Sequence, residues 1–398
     1  MAKVSAEELA ALVPCPIEDV RRLEELGILE SEDGRLDSSQ AHVVKLMAAF
    51  EAAGISLDAI ARGVAAGELS FPLGLFLPEP VEMVETYEEL GDRIGRPPEL
   101  LRRLSSELGL PAPADDRIRA EDAELLELVV TKLDLAEEDE LSRFTRLYGG
   151  SVQRLVSSGL QFFDRAVRQR VATFGHLSNE EKDMLVYQKA GGFTELVSRL
   201  VPWLQRRHRE HSVIEYLVSV TEGFMEERGI IPRQPRQPPA IAFLDLTGYT
   251  TLAEEQGDEA AAELAADLAT LVQHAAQPYG GRPVKWLGDG VMFYFGDPGG
   301  AIRGGLELID RTEQAISVPA RIGINAGAVV VQEGDYFGRT VNVASRIADY
   351  ARPREVLVSD EAKQSAGADD VGYELVGDLK LKGLSRPVRV HRAVRPPG

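Results

Sequence analysis

Apolar residues recur at helical spacing through the first 230 positions and give way to strand-like runs only after residue 239. Ser5 with Glu8 forms a capping-box signature ahead of Leu9, Leu12 and Val13, and Pro14 and Pro16 end that helix. A second helix is predicted over Ile17–Leu26, with Val20 and Leu23 on one face and Gly27 as its stop. Gly34 marks a turn, and a longer helix follows over about 38–53. The pattern then recurs. Leu9, Pro16 and Arg21-Arg22-Leu23 align with Leu90, Pro97 and Arg102-Arg103-Leu104, and Arg35-Leu36 answers Arg117-Ile118. Two related helical modules, about 5–62 and 86–138, are expected in tandem, with further helices over 139–205.

Ser178 with Glu181 is another capping box. Beyond it, Arg206-Arg-His-Arg209 is followed by Val213, Leu217, Val220 and Phe224, whose 4-3-4 spacing is that of an a/d seam. The stretch Ile231-Pro-Arg-Gln-Pro-Arg-Gln-Pro-Pro239 cannot be crossed by a helix. It divides an all-α region, 1–205, and a coupling segment, 206–237, from a second domain, 238–395. There strands are predicted at 240–246, 283–286 and 291–295, and a strand or hairpin at 320–331. Helices are predicted over 250–276 with a break at Gly257, over 301–316 and over 341–350, with a strand at 355–359 and further strands toward the C-terminus. That order specifies an α+β domain with helices packed on a sheet.

Composition narrows the setting. The 398 residues are 44% hydrophobic and carry a formal net charge of −20, which disfavours nonspecific binding to nucleic acid. No apolar run is long enough to span a bilayer, the first residues lack an apolar signal core, and Cys15 is the single cysteine. A cytoplasmic protein with no membrane partner is expected.

The chemistry concentrates in three stretches: Phe243-Leu-Asp-Leu-Thr-Gly-Tyr-Thr250, Lys285-Trp-Leu-Gly-Asp-Gly290 and Asp335-Tyr-Phe-Gly-Arg-Thr-Val-Asn-Val-Ala-Ser-Arg346. Asp245 ends a strand and Asp289 sits in a tight turn; two hard oxygen donors on rigid supports suit Mg²⁺ or Mn²⁺. The amides of Thr247, Gly248, Tyr249 and Thr250 open a helix and are placed for phosphate oxygens. Asn342 and Arg346 are four apart on a predicted helix and share a face.

These three motifs, in this order, resemble the class III nucleotidyl cyclase catalytic domain over about Pro238 to Val394. The resemblance implies a ferredoxin-like cyclase fold and the conversion of ATP to 3′,5′-cyclic AMP and pyrophosphate. It implies two Mg²⁺ or Mn²⁺ ions on Asp245, Asp289 and the Leu246 carbonyl, and a base-reading pair, Lys285 and Asp335. Lysine donates and aspartate accepts, which matches the N1 acceptor and N6 donor of adenine and opposes guanine. Asn342 and Arg346 are implied to stabilise the transition state, Asn toward a ribose oxygen and Arg toward phosphate. The resemblance also implies a homodimer with each site shared between two copies. Trp286 stands where the family more often has a small or β-branched residue.

The tandem modules resemble the winged helix-turn-helix of MerR-type regulators, and the whole layout is similar to bacterial cyclases restrained by a helical N-terminal domain, some of them pH-responsive. Two stimuli are candidates: a proton, sensed at His208 and His211 beside Arg206, Arg207 and Arg209 at a hinge, or a small apolar ligand near 71–77 and 160–163. The competing readings are a nucleotide-sensing DNA-binding regulator and an inactive cyclase-like receptor. The first fits poorly, because the candidate recognition helix, Ile17–Leu26, sets four acids against two arginines. No DNA partner is expected.

Overall fold

The computed structural model describes residues 2–13, 15–71, 73, 77, 83–110, 116–232, 237–316, 318–383 and 386–396; the side chains of residues 250, 251, 256, 258 and 259 lie outside that description. The chain forms two units, residues 1–223 and 224–398.

In the first unit, strand β1 (Lys3–Val4) leads into helices α1 (Ala6–Leu12) and α2 (Ile17–Glu25). A hairpin, β2 (Ser31–Glu32) and β3 (Arg35–Asp37), then precedes α3 (Ala41–Ala52) and α4 (Leu57–Ala65). The pattern repeats as β4 (Met83–Thr86), α5 (Tyr87–Ile94), α6 (Pro98–Glu107), β5 (Arg117–Arg119) and α7 (Ala120–Lys132). Capping boxes open both copies, Ser5 with Glu8 and Thr86 with Glu89. Aligned positions do the same work: Leu9 and Leu90, Leu23 and Leu104, Leu36 and Ile118 are buried in their respective cores. Of the apolar segment 71–77, Phe71 and Leu73 pack against the first core, while residues 72 and 74–76 lie outside the described residues.

Two long helices follow, α8 (Glu138–Phe163) and, after the short α9 (Gln169–Ala172), α10 (Asn179–Glu227). Phe162 and Phe163 meet Phe193 of α10. Helix α10 runs straight through position 205 and through Pro202, where the sequence pattern predicts separate helices. Good helix formers on both sides offset the one hydrogen bond that a proline removes. His208 and His211 therefore lie within a helix, not at a hinge, and His211 Nε2 sits 3.3 Å from Glu215 Oε1 on the next turn. Val213, Leu217, Val220 and Phe224 face solvent.

The second unit is a seven-stranded sheet in the order β13-β14-β12-β9-β6-β8-β7. Its strands are β6 (Ala240–Leu246), β7 (Gly281–Trp286), β8 (Gly290–Phe295), β9 (Ala320–Ala326), β12 (Val356–Ser359), β13 (Gly372–Leu379) and β14 (Val388–Val394). Only β9 and β12 run parallel among these neighbours. A small hairpin, β10 (Val330–Gln332) and β11 (Asp335–Phe337), precedes α14 (Arg339–Tyr350). The remaining helices are α11 (Tyr249–Gln256), α12 (Asp258–Ala276), α13 (Pro298–Ala315) and α15 (Asp360–Ser365).

Strand alternation assigns the two faces. On β6, Ala240, Ala242, Leu244 and Leu246 enter the core shared with α12 and α13, and on β9 Ala320, Ile322, Ile324 and Ala326 do the same. The intervening residues, including Asp245 and Arg321, point to the opposite face. There Ile241, Met292, Tyr336 and Ala344 form a second core beneath α14. Gly323 permits this approach, since a Cβ there would collide with the α14 backbone at Ala344 and Ala348. The fold is thus α+β, with helices on both sides of a mixed sheet and the chemistry on the α14 side.

Candidate active site

Asp245 is the penultimate residue of β6, paired with Gly290 of β8 on one side and Arg321 of β9 on the other. Asp289 occupies the turn between β7 and β8, which is closed by the Leu287 N–H on Gly290 O at 2.9 Å and turned by Gly288 at φ 73°. The Leu246 N–H donates to Asp289 O at 3.2 Å, so the turn is tied to the end of β6. Burial, and then the neighbouring Asp245 carboxylate, push the Asp289 carboxyl above the usual carboxylate range; its own backbone amide and Arg321 pull the other way. The two aspartates are therefore brought within electrostatic reach of each other.

Arg321, which no sequence motif singled out, grips this site. Its Nε and Nη2 both donate to Asp245 Oδ2, at 2.9 and 2.5 Å. Its Nη1 donates to the carbonyls of Asp349 and Ala351 at the end of α14. The available signal was a lone arginine in the apolar strand Ala320-Arg-Ile-Gly-Ile-Asn-Ala326.

The helix-opening amides need one correction. Thr247 donates its N–H to Pro319 O at 2.8 Å, so that amide is committed to the fold. Gly248, at φ 90°, caps α11, and the next amides belong to its first turn, which has no intrahelical acceptor. Tyr249 sends its hydroxyl to Ala261 O at 3.1 Å, leaving only its backbone for a ligand. The Thr250 side chain lies outside the described residues.

Lys285 and Asp335 meet: Lys285 Nζ donates to Asp335 Oδ2 at 2.5 Å. A bulge between Pro283 and Lys285 sets Lys285 opposite Met292, on the α14 face. The hairpin carrying Asp335 is pinned by its neighbour Tyr336, whose ring stacks on Tyr294 at 4.7 Å and whose hydroxyl accepts from Arg282. The Arg282 guanidinium also lies over the Tyr294 ring. Burial works against the Asp335 carboxylate, but Lys285 and the Tyr336 amide outweigh it and hold the group below its usual range. Trp286 and Leu287 beside the pair are exposed, as are Val330, Val331 and Phe337 of the hairpin.

Asn342 and Arg346 occupy the solvent face of α14, opposite the buried Val343, Ala344 and Ile347. Arg346 Nη1 donates to Asp349 Oδ2 at 2.9 Å. Hence the structure joins Asp245 with Asp289 and Lys285 with Asp335, and leaves Asn342 and Arg346 on an open surface.

Among the described residues no set of three or more His, Cys, Asp or Glu side chains converges for a metal, and no helix is long and apolar enough to cross a membrane. The donor chemistry at β6 still fits hard divalent ions. Two carboxylates and a backbone carbonyl are oxygen donors, and the Asp289 carboxyl is raised by burial first and by the Asp245 carboxylate second, both of which a bound cation would offset.

A family model of the adenylate and guanylate cyclase catalytic domain matches residues 231–392. A pH-sensitive adenylate cyclase of Mycobacterium tuberculosis is 32% identical over 224 residues, covering 52% of this chain and 54% of that protein. An adenylate cyclase of Streptomyces griseus is 36% identical over 138 residues, 34% of this chain and 33% of its own length. The chain thus spans about half or less of the length of these relatives. A solved adenylate/guanylate cyclase/hydrolase from Silicibacter pomeroyi is 31% identical, with a TM-score of 0.35, covering 40% of this chain and 98% of that one. Residues 231–392, the segment that carries the three motifs, thus match the adenylate and guanylate cyclase catalytic domain family.

Proposed function

We propose that the chain is an adenylate cyclase that closes ATP to 3′,5′-cyclic AMP and pyrophosphate at sites shared by two copies. The observation that carries the reading is the meeting of Lys285 and Asp335 from segments 50 residues apart. A donor beside an acceptor complements the N1 and N6 positions of adenine, whereas guanine would leave both unpaired. Asp245, Asp289 and the Leu246 carbonyl would hold two Mg²⁺ or Mn²⁺ ions, which when bound neutralise phosphate charge and acidify the attacking hydroxyl. The reaction is intramolecular: the ribose 3′-oxygen bonds to the α-phosphorus, the bond to the β-phosphate oxygen breaks, and the hydroxyl proton is lost to solvent. The amides opening α11 receive phosphate oxygens, Arg346 offers its fork to the phosphate in flight, and Asn342 orients the ribose.

Sharing between copies is supported by what a single chain leaves uncovered. Asn342 and Arg346 face solvent, and Trp286, Leu287 and Phe337, which lie within two residues of the base-reading pair in the chain, are exposed. The outward seam of Val213, Leu217, Val220 and Phe224 supplies a further apolar face for a twofold partner. Helix α10 (Asn179–Glu227) precedes the linker in the chain, and in this reading the N-terminal unit governs how two catalytic domains meet.

The test is purified protein with Mn²⁺ and either ATP or GTP, with the products identified and Asp289→Ala as control. Cyclic AMP from ATP, lost in the variant, supports the reading. Cyclic GMP as the main product overturns the base assignment, and no cyclic product from either nucleotide supports the inactive-receptor reading.

A further inference from the structure

The open face of α14 holds one contact that the proposed reaction does not use. Arg346 Nη1 donates to Asp349 Oδ2 at 2.9 Å. The two residues stand one turn apart on the same side of the helix, and both side chains are about half exposed. Helix rules disfavour this acid. Asp349 is the second-last residue of α14, where the negative end of the helix dipole repels a carboxylate, and no basic residue occupies that turn. A base that precedes its acid along a helix is also the weaker order for such a pair. A residue that breaks a local rule without a gain to its helix is a candidate for a role in function. The platform beneath the pair is rigid. Val343, Ala344, Ile347 and Ala348 bury the inner face of α14, and the Asp349 and Ala351 carbonyls at its end accept from Arg321 Nη1. What remains loose is the long Arg346 side chain, and Asp349 tethers it by one nitrogen. Its Nε and Nη2 have no partner among the described residues. The guanidinium therefore keeps a complete two-nitrogen edge open, the geometry that two oxygens of one phosphate require.

We propose that Asp349 is a positioning residue for Arg346: it holds Nη1 and so presents the Nε–Nη2 edge, already oriented, to the phosphate. The inference rests on the reading of Arg346 as the group that meets the phosphate in flight. Orienting the fork before the substrate arrives spares the entropy of ordering it during the reaction, so the gain belongs to kcat and not to ATP binding. A resting latch makes the opposite prediction. If the carboxylate competed with phosphate for the guanidinium, removing it would free Arg346 and raise kcat.

The experiment compares the full chain carrying Asp349→Ala, Asp349→Asn or Asp349→Glu with wild type and with Arg346→Ala. Cyclic nucleotide formed from ATP at saturating Mn²⁺ gives kcat and KM, and circular dichroism gives the melting temperature of each. Asp349→Ala is expected to lower kcat about two- to fivefold, the scale of an exposed ion pair, with KM for ATP within about twofold of wild type. Asp349→Glu keeps the charge one methylene further out and should recover most of the lost rate. Asp349→Asn takes the charge off the negative helix end, so it should melt at or above the wild-type temperature although it turns over more slowly. A residue that merely supported the fold would lose rate and stability together. Wild-type kcat in Asp349→Ala overturns the proposal, and a raised kcat overturns it in favour of a latch. A glutamate variant no faster than the alanine variant, or an asparagine variant that melts clearly below wild type, also overturns it. Wild-type kcat in Arg346→Ala removes the reading of Arg346 itself, an outcome distinct from failure at Asp349 alone.

Discussion

Lys285 Nζ rests 2.5 Å from Asp335 Oδ2, although 50 residues and the whole of helix α13 separate them in the chain. Each group satisfies the other until a base arrives. An adenine edge would exchange one ion pair, half-exposed on the lysine side, for two hydrogen bonds of matching polarity. On the proposed reading, Asp335→Ala removes the acceptor for the N6 amine. Losing one base hydrogen bond of about 1–3 kcal/mol corresponds to a fall of about 5–150-fold in kcat/KM for ATP. The loss for GTP should be smaller, so that the ATP-to-GTP ratio narrows. Steady-state rates with both nucleotides check this; an unchanged ratio would show that Asp335 does not read the base.

Tyr336 decides whether Asp335 is held in place. It is buried, stacks on Tyr294 and accepts a hydrogen bond from Arg282. Tyr336→Ala opens a cavity beneath the β10–β11 hairpin and should cost about 3 kcal/mol of stability. Tyr336→Phe keeps the stack and loses only the hydroxyl contact, at about 1 kcal/mol. Chemical unfolding gives both values. In the kinetic comparison the alanine variant should impair ATP use at least as much as Asp335→Ala, while the phenylalanine variant stays near wild type.

Much of the catalytic unit was legible because its signals are local. Gly257 breaks the helix between α11 and α12 as its sequence position implies, and alternation along Ala240–Leu246 correctly marks which residues face the core. Asp289 falls in its turn because Gly288 readily adopts the positive φ, 73°, that the reversal requires. Arg321 was missed because its meaning lies in register, not in spacing: only the β6–β9 pairing sets it opposite Asp245. The commitment of the Thr247 amide to Pro319 is likewise a tertiary contact between segments 72 residues apart, beyond any helix-start rule. Helix α10 crosses the expected division at 205/206, since the penalty of the one proline within it is small against 49 residues of helical propensity. The short α15, capped by the Ser359 side chain, carries too few turns to show a periodicity.

Asp289 trades stability for its site. Its folded-state carboxyl lies above the usual range, by burial first and by Asp245 second. An acid raised in the folded state contributes stability that is fully present below its unfolded pKa of about 3.9 and is lost as pH rises through the folded value. Asp289→Asn cannot ionise and escapes that loss. In chelator, the variant should melt higher than wild type at neutral pH, and the two should converge near pH 3.5. Added Mn²⁺ should reverse the order by stabilising only the wild type. Melting curves across pH, with and without the ion, measure each part.

The proposed division of labour between two copies makes a prediction that no single-chain site can meet. If Asp289 of one subunit works with Arg346 of the other, then Asp289→Ala and Arg346→Ala each disable both sites of their own homodimers. A mixed dimer carries both lesions in one site and none in the other. Random pairing of equal amounts makes half the dimers mixed, each with one intact site, so recovered activity should approach about a quarter of wild type. Each variant alone should stay near background, with Arg346→Ala losing kcat more than ATP affinity because its fork serves the transition state. Co-expression or slow remixing of the purified variants, assayed for cyclic nucleotide, gives the answer. Leu217→Glu placed in both variants, on the exposed seam of α10, tests whether that seam supports the pairing. It should reduce the recovered activity and shift the protein toward monomer in sedimentation, since a buried carboxylate in an apolar seam is strongly disfavoured. Activity from either variant alone at the wild-type level, or a mixture no better than its parts, would mean that each chain closes its own site.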